Sequence, residues 1–158
     1  MKEDFKAEEL IFMMKKVGLD LTSQMEAELR YENMSGPQIY FMVYLLRHHP
    51  QGTYITELCH EIGVSKSTLS MLIKKLRKAG YIVFQENPQD IRKKKLLPTQ
   101  KLLDESSNFL ERAEQMETKI CNVLDRTERE ELWKLERKLL LHLAGKEQNK
   151  ERQEVTLQ

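Results

Sequence analysis

Residues 55–99 read Ile55-Thr-Glu-Leu-Cys-His-Glu-Ile-Gly-Val-Ser-Lys-Ser-Thr-Leu-Ser-Met-Leu-Ile-Lys-Lys-Leu-Arg-Lys-Ala-Gly80, then Tyr81-Ile-Val-Phe-Gln-Glu-Asn-Pro-Gln-Asp90, then Ile91-Arg-Lys-Lys-Lys-Leu-Leu-Pro-Thr99. The spacing predicts a short helix from about Thr56 to Ile62, ended by Gly63 in a left-handed C-terminal cap. Ser65 suits the N-cap of a second helix, in which Leu69, Leu72, Ile73 and Leu76 form one inward stripe before Gly80 ends it. Tyr81 to Glu86 is β-branched and aromatic enough for a strand. Asn87-Pro88 supplies a turn, Lys93 to Leu97 pairs back, and Pro98 closes the second strand.

Helix, helix and hairpin in that order form the layout of a winged helix-turn-helix. One helix of such a unit can enter the DNA major groove while the hairpin lies along the backbone or minor groove. The charge distribution agrees. Between Ser65 and Lys95 stand Lys66, Lys74, Lys75, Arg77, Lys78, Arg92, Lys93, Lys94 and Lys95, opposed only by Glu86 and Asp90. The segment is therefore +7, and the rest of the chain must be −6 to reach the total of +1. A positive field confined to one segment of an otherwise acidic chain points to a polyanion facing that surface.

Outward from this segment the pattern is helical. Phe5, Leu10, Met14, Val17, Leu21, Met25 and Leu29 recur at spacings of mostly three and four, the mark of one long amphipathic helix that needs a partner surface. Ser35-Gly-Pro-Gln38 opens a second helix, with Ser35 as cap, Pro37 in the first turn and Gln38 completing a capping-box spacing. Ile39, Phe41, Met42, Val43, Leu45 and Leu46 make it apolar on several sides, so it should be buried. It ends before Pro50-Gln-Gly52. After Thr99, Leu103, Ser106, Phe109, Leu110, Ala113, Met116, Ile120 and Leu124 give a fifth helix. Asp125-Arg-Thr127 breaks it, with Thr127 and Glu130 at a second capping-box spacing. Leu132, Leu135, Leu139 and Leu143, flanked by Trp133 and Leu140, give a sixth, which Gly145 is expected to stop. Residues 146–158 are polar and expected to be disordered.

The chain has 158 residues, few aromatics and little Gly or Pro, which favours one mostly helical domain with extensions. No apolar run approaches the roughly 18 residues of a membrane span. Met1-Lys-Glu-Asp-Phe5 leads into no apolar core with a cleavage site, so no secretion signal and a cytoplasmic location are expected. Cys59 and Cys121 lie far apart within helical patterns, so no disulfide framework is expected. No Gly-rich phosphate loop, HExxH spacing or nucleophile elbow is present, and an enzyme is not expected.

The order α-α-α-α-β-β-α-α resembles the MarR family of transcription regulators from the first helix to about residue 144. Three local matches carry the resemblance. They are Ser35-Gly-Pro-Gln38, the helix-turn-helix from Leu58 to Gly80, and Asp90-Ile-Arg92 with its basic run and Thr99, which is similar to the family's wing motif. Pro98 stands where the family usually has Leu, and Leu102 where Gly is common; both bear on the hinge between wing and fifth helix. The fold expected is mainly α with a small β-hairpin wing. Residues 1–32 would form an N-terminal helix of the dimerisation region, 33–100 the DNA-binding domain, and 101–145 the C-terminal dimerisation helices. The resemblance implies a homodimer that binds double-stranded promoter DNA as a repressor or activator, released by a small-molecule effector, an oxidant or a metal. No cofactor is expected. A winged-helix module for an acidic protein partner is the alternative.

On this reading the recognition helix presents Ser65, Lys66, Ser67, Thr68, Ser70, Lys74, Lys75, Arg77 and Lys78. Residues at its start would meet base edges, with Lys66 suited to guanine, and Lys74 and Lys75 would hold phosphates. Arg92 would enter a narrow minor groove from the wing tip. Asp90 would hold either the Arg92 side chain or a nearby backbone amide. Lys93, Lys94 and Lys95 alternate sides, so not all of them can face DNA; Lys93 and Lys94 are the ones assigned to it. Dimer contacts are expected at Leu10, Met14, Val17, Leu132, Leu135, Leu139 and Leu143. Cys59 reads as a small buried residue against the recognition helix, and Cys121 as part of a helix interface. His48, His49 and His60, with His142 and the cysteines in reserve, are the metal candidates. Adjacent histidines on a helix point about 100° apart, which argues for exposed helix ends instead. Met13, Met14, Met25, Met34, Met42 and Met116 could line an adaptable pocket but are more often core.

Overall fold

The computed structural model of the chain describes residues 6–156, the side chains of residue 91 and of residues 146–156 excepted. The elements run α1 (Ala7–Leu29), α2 (Gly36–His48), α3 (Ile55–Ile62), α4 (Lys66–Lys78), β1 (Ile82–Asn87), β2 (Asp90–Pro98), α5 (Gln100–Cys121) and α6 (Arg126–Thr156). This is the order expected from the sequence: mainly helical, with one antiparallel hairpin. Two compact units meet in sequence between Glu117 and Thr118.

In the first unit, α2 is the centre. Ser35 accepts from the Gln38 amide at 3.3 Å while the Gln38 side chain accepts from the Ser35 amide at 2.9 Å, the reciprocal cap expected from their spacing. Gly36 lies directly on the Met25–Glu26 backbone of α1, where any Cβ would overlap main-chain atoms. The Glu26 carboxylate accepts from the Gly36 amide at 2.8 Å and pairs with Arg30 at 2.8 Å. That amide bond, followed by the Arg30 pair, holds the Glu26 carboxyl below its ordinary range. Ile39, Phe41, Met42, Val43 and Leu45 are buried, and Leu46 is half-buried.

The core continues through Leu29 and Met34, Leu58 of α3, Leu69, Ile73 and Leu76 of α4, Tyr81, Ile82 and Leu96 of the hairpin, and Leu102, Phe109, Ala113 and Met116 of α5. Each such large side chain stabilises the fold by roughly 1.5–3 kcal/mol. Polar clasps then set α5. Arg112 donates to the carbonyls of Glu28 at 2.8 Å and Arg30 at 3.0 Å. Arg47 grips Glu117 through two 2.7 Å bonds, and Tyr40 donates to the same carboxylate at 2.6 Å. The Arg47 bonds hold the Glu117 carboxyl below its ordinary range against the opposing effect of burial.

Several expectations need correction. Leu102, not Leu103, faces the core: Leu102 is fully buried and Leu103 is 45% exposed. The turn out of β2 rotates the first turn of α5 by one position. Asp125 and Glu128, not Thr127 and Glu130, form the reciprocal cap of α6, through bonds of 2.8 and 3.0 Å. Both pairs satisfy the same spacing, and the helix break falls two residues earlier than expected. Gly145 does not stop α6, which runs on to Thr156. A single interior Gly costs only about 1 kcal/mol relative to Ala, and Lys, Glu, Gln and Arg after it favour helix. Residues 146–156 are thus helical where disorder was expected. Of the first stripe, Phe5 lies outside the described residues. Leu21 and Met25 are half-buried and Leu29 is buried, whereas Leu10, Met14 and Val17 are exposed. In the second unit every residue from Arg126 to Gly145 is exposed.

Replacing Gly36 with Ala should lower stability by about 3 kcal/mol or abolish folding, since rigid backbone rather than a flexible side chain opposes the added methyl. Urea unfolding would show it; a midpoint equal to wild type would refute the close approach.

Candidate nucleic-acid interface

Helix α3 ends at Gly63, whose φ of 77° is the left-handed cap foreseen from its position. Tyr44 of α2 and His49 beyond its end both bond the Glu61 carboxylate at 2.7 Å. Burial alone would raise that carboxyl, but the His49 and Tyr44 bonds hold it below its ordinary range. Burial first, and the bond to Glu61 second, push the Tyr44 phenol up to about 12. His48 tilts onto the Tyr44 ring at 4.5 Å between centroids. His49 is therefore not a free helix end, whereas His48, His60 and His142 are exposed. Among the described residues no group of three or more His, Cys, Asp and Glu side chains is arranged to hold a metal. Cys59 is half-buried rather than buried as expected, and Cys121 is exposed in the single chain.

Ser65 begins α4 by accepting from the Thr68 amide at 3.2 Å and donating to the Thr68 hydroxyl at 2.8 Å. Its hydroxyl is thus committed to the cap, with Ser67 a further 3.2 Å contact. Lys66, Ser67, Thr68, Ser70, Lys74, Lys75, Arg77 and Lys78 are all exposed, while Leu69, Ile73 and Leu76 are buried and Leu72 is half-buried. Opposite that buried stripe lie Ser67, Met71, Lys74 and Lys78, spaced three and four apart. Met71, which the sequence reading passed over, is 76% exposed; its place in that row was the signal available. Arg77 turns towards the hairpin, its guanidinium 4.7 Å from the Phe84 ring centre.

The hairpin turns through Pro88 and Gln89, with the Asn87 side chain accepting from the Gln89 amide at 2.9 Å. Its register pairs Val83 with Leu97, Gln85 with Lys95 and Glu86 with Lys94, then jumps to Asn87 with Asp90. Residues 91–93 bulge at the tip as a result. Half-buried Asp90 accepts from the Arg92 amide at 3.0 Å, so of the two roles left open it takes the backbone one. Arg92, Lys93 and Lys94 are exposed and Lys95 is half-buried.

A feature missed in the sequence anchors the wing base. Thr53 exchanges both backbone bonds with Leu96, at 3.0 and 2.7 Å, adding a one-residue third strand. A single pairing residue leaves no periodic signal. Gly52, at φ 100°, lets the chain pass between Leu97 and the Leu96 carbonyl. Thr99 locks the other end. Its hydroxyl donates to the Gly80 carbonyl at 2.6 Å and accepts from the Leu102 amide at 3.4 Å, while its amide donates to Tyr81 at 3.0 Å. Lys101 reaches the Ala79 carbonyl at 2.8 Å across the Tyr81 ring. The two departures from the family pattern are absorbed here: Pro98 pairs with Ile82 as the last strand residue, and Leu102 fills core space.

The chain carries an exposed cationic surface of two parts, a helix face and a hairpin tip, joined at Gly80 and Thr99. A model described as MarR family matches residues 32–93, which hold α2 to α4 and most of the hairpin. Among solved structures, the S. aureus MepR–DNA complex shares 18% identity, covering 88% of this chain and 99% of that one, with a TM-score of 0.73. A putative MarR family regulator from Listeria monocytogenes, complexed with 26mer DNA, shares 20% identity over 92% of both chains, with a TM-score of 0.73. The organohalide sensing RdhR-CbdbA1625 transcriptional regulator, in its 2,4-dichlorophenol bound form, shares 19% identity, covering 89% of this chain and 83% of that one, with a TM-score of 0.72. No curated protein matches the chain by sequence. Among the described residues no helix is long and apolar enough to cross a membrane.

Replacing Thr99 with Val keeps the shape but removes the donor to Gly80 and the cap of α5. Two lost bonds of about 1 kcal/mol each should lower the unfolding free energy by about 2 kcal/mol. An unchanged denaturation midpoint would remove Thr99 from the hinge.

Proposed function

We propose that this chain is a MarR-family transcriptional regulator, a reading supported by the family model over residues 32–93 and by the shared fold, and that it acts as a cytoplasmic homodimer. It binds promoter DNA as a repressor and is released by a small-molecule effector. The observation that carries the reading is the exposed basic face of α4 next to an exposed basic wing tip, on one winged helix-turn-helix. On this reading Lys66, Ser67, Thr68 and Ser70, exposed at the start of α4, would meet base edges, and Lys74 and Lys75, further along it, would hold phosphates. Arg92 suits the minor groove, with Lys93 and Lys94 beside it. Ser65 and Asp90 support this surface indirectly, through the helix cap and the Arg92 amide. Arg77, stacked on Phe84, is suited to a phosphate at the junction of helix and wing.

The domain assignment follows: residues 33–100 bind DNA, and residues 1–32 and 101–145 serve the dimer. Leu10, Met14 and Val17 on α1, and Leu132, Leu135, Leu139 and Leu143 on α6, are 42–55% exposed in the single chain. Rows of apolar side chains at helical spacing are rarely left to water, and a second copy of the chain would cover each of them. The organohalide-sensing neighbour with its bound dichlorophenol supports release by a small ligand.

The decisive experiment is binding to DNA directly upstream of the chain's own gene at several salt concentrations, against a scrambled competitor. Sequence-selective affinity should fall by about 10³–10⁵ between 50 and 200 mM salt for some 6–10 phosphate contacts. Arg92→Ala should weaken it by about 1–3 kcal/mol without unfolding the protein. No binding at low salt would overturn the reading and move the basic wing to an acidic protein partner. Independently, Leu135→Glu with Leu139→Glu should shift sedimentation from dimer towards monomer; a double variant that still sediments as a full dimer would exclude α6 from the interface.

A further inference from the structure

Met71 is a long apolar side chain, 76% exposed, on a helix surface otherwise made of hydroxyls, lysines and Arg77. A lone exposed apolar residue is ordinary on a protein surface; the setting of this one is not. The exposed apolar residues of α1 and α6 stand among many others, as in Leu10, Ile11, Phe12, Met13 and Met14. Met71 stands alone in the outward row, with Ser67 one turn before it and Lys74 one turn after it. Lysines around it disfavour an apolar protein partner and favour a polyanion. The short Ser67 and Ser70 side chains permit close approach of the helix to that partner.

A DNA major groove offers one apolar group on its base edges, the 5-methyl of thymine. The methionine side chain has three rotatable bonds and a polarizable sulfur, so it can settle onto such a group without a fixed hydrogen-bond geometry. The geometry points to Met71 as a specificity-determining residue that packs against the 5-methyl group of one thymine in each half-site. This rests on the reading of the chain as a promoter-binding regulator. It adds an apolar reader to a surface whose other members supply charge and hydroxyls.

The test begins with selection of duplexes from a random pool by the full 158-residue chain. Each thymine of the selected site is then replaced by uracil, which removes only the methyl group. At one thymine per half-site the wild-type protein should lose about fourfold in affinity, the equivalent of one buried methyl. Met71→Ala and the near-isosteric Met71→Gln should bind the thymine and uracil duplexes equally, and Met71→Leu should keep the preference. The slope of affinity against salt should be the same in all of them, because no charge changes. The proposal is overturned if no thymine methyl matters to the wild-type protein, or if the loss is equally large in Met71→Ala or Met71→Gln. A pool that shows no enrichment with the wild-type protein would instead overturn the regulator reading, and the role of Met71 with it. If Met71→Ala folds poorly, the near-isosteric Met71→Gln and Met71→Leu variants carry the same comparison.

Discussion

The fold depends on how closely α2 can approach α1. Gly36 lies against the Met25–Glu26 backbone, and the Glu26 carboxylate receives the Gly36 amide. This contact joins a helix end that has unsatisfied donors to a helix side that has an anion, so packing and electrostatics agree. Once α2 is placed there, its apolar sides define the core for α3, α4 and α5. Arg47 and Tyr40 on α2 then hold Glu117 of α5, while Tyr44 and His49 hold Glu61 of α3. The orientation of the helix-turn-helix is thus inherited from a glycine some thirty residues before α4.

Helix α4 and the wing are tied together for a related reason. Residues 80–81, after α4, and residue 99, after β2, are tied by two bonds, from the hydroxyl and the amide of Thr99, and Lys101 adds a contact to the Ala79 carbonyl. Arg77 on Phe84 adds a contact from helix to strand. A two-stranded hairpin is marginal by itself; here Thr53 and the ends of the neighbouring helices hold its base while its charged tip stays free.

What was legible in the sequence was local. Gly63, Ser65 and the Ser35–Gln38 pair act over three or four residues, so their spacing alone announces the helix ends. The winged-helix order and the cationic face followed from them. What was not legible depended on distant geometry or on a choice between equals. The Thr53–Leu96 bridge spans residues with no pattern between them. Asp125–Glu128 and Thr127–Glu130 obey the same rule, and only the position of the preceding break selects one. Leu102 and Leu103 differ by 100° around α5, and the Thr99 anchor decides which turns inward. Gly145 carries no stop signal beyond its own weak propensity. At the interface, exposure was inferred correctly for the lysines. The engagement of Ser65 in its cap and of Arg77 with Phe84 needed coordinates.

The bulge and lysines of the wing have a consequence unrelated to any ligand. A short hairpin with open strand edges is a template for pairing with strands of other chains, and flat, uncharged edges invite aggregation. In β2 the apolar residues Leu96 and Leu97 lie at the end where Thr53 pairs with the strand, and the open end carries Arg92, Lys93 and Lys94 beside a break in register. Repulsion between such tips, and the irregular ladder at residues 91–93, keep one chain's wing from extending another's. The charge that suits the wing to a polyanion thus also guards an open strand edge against strand addition.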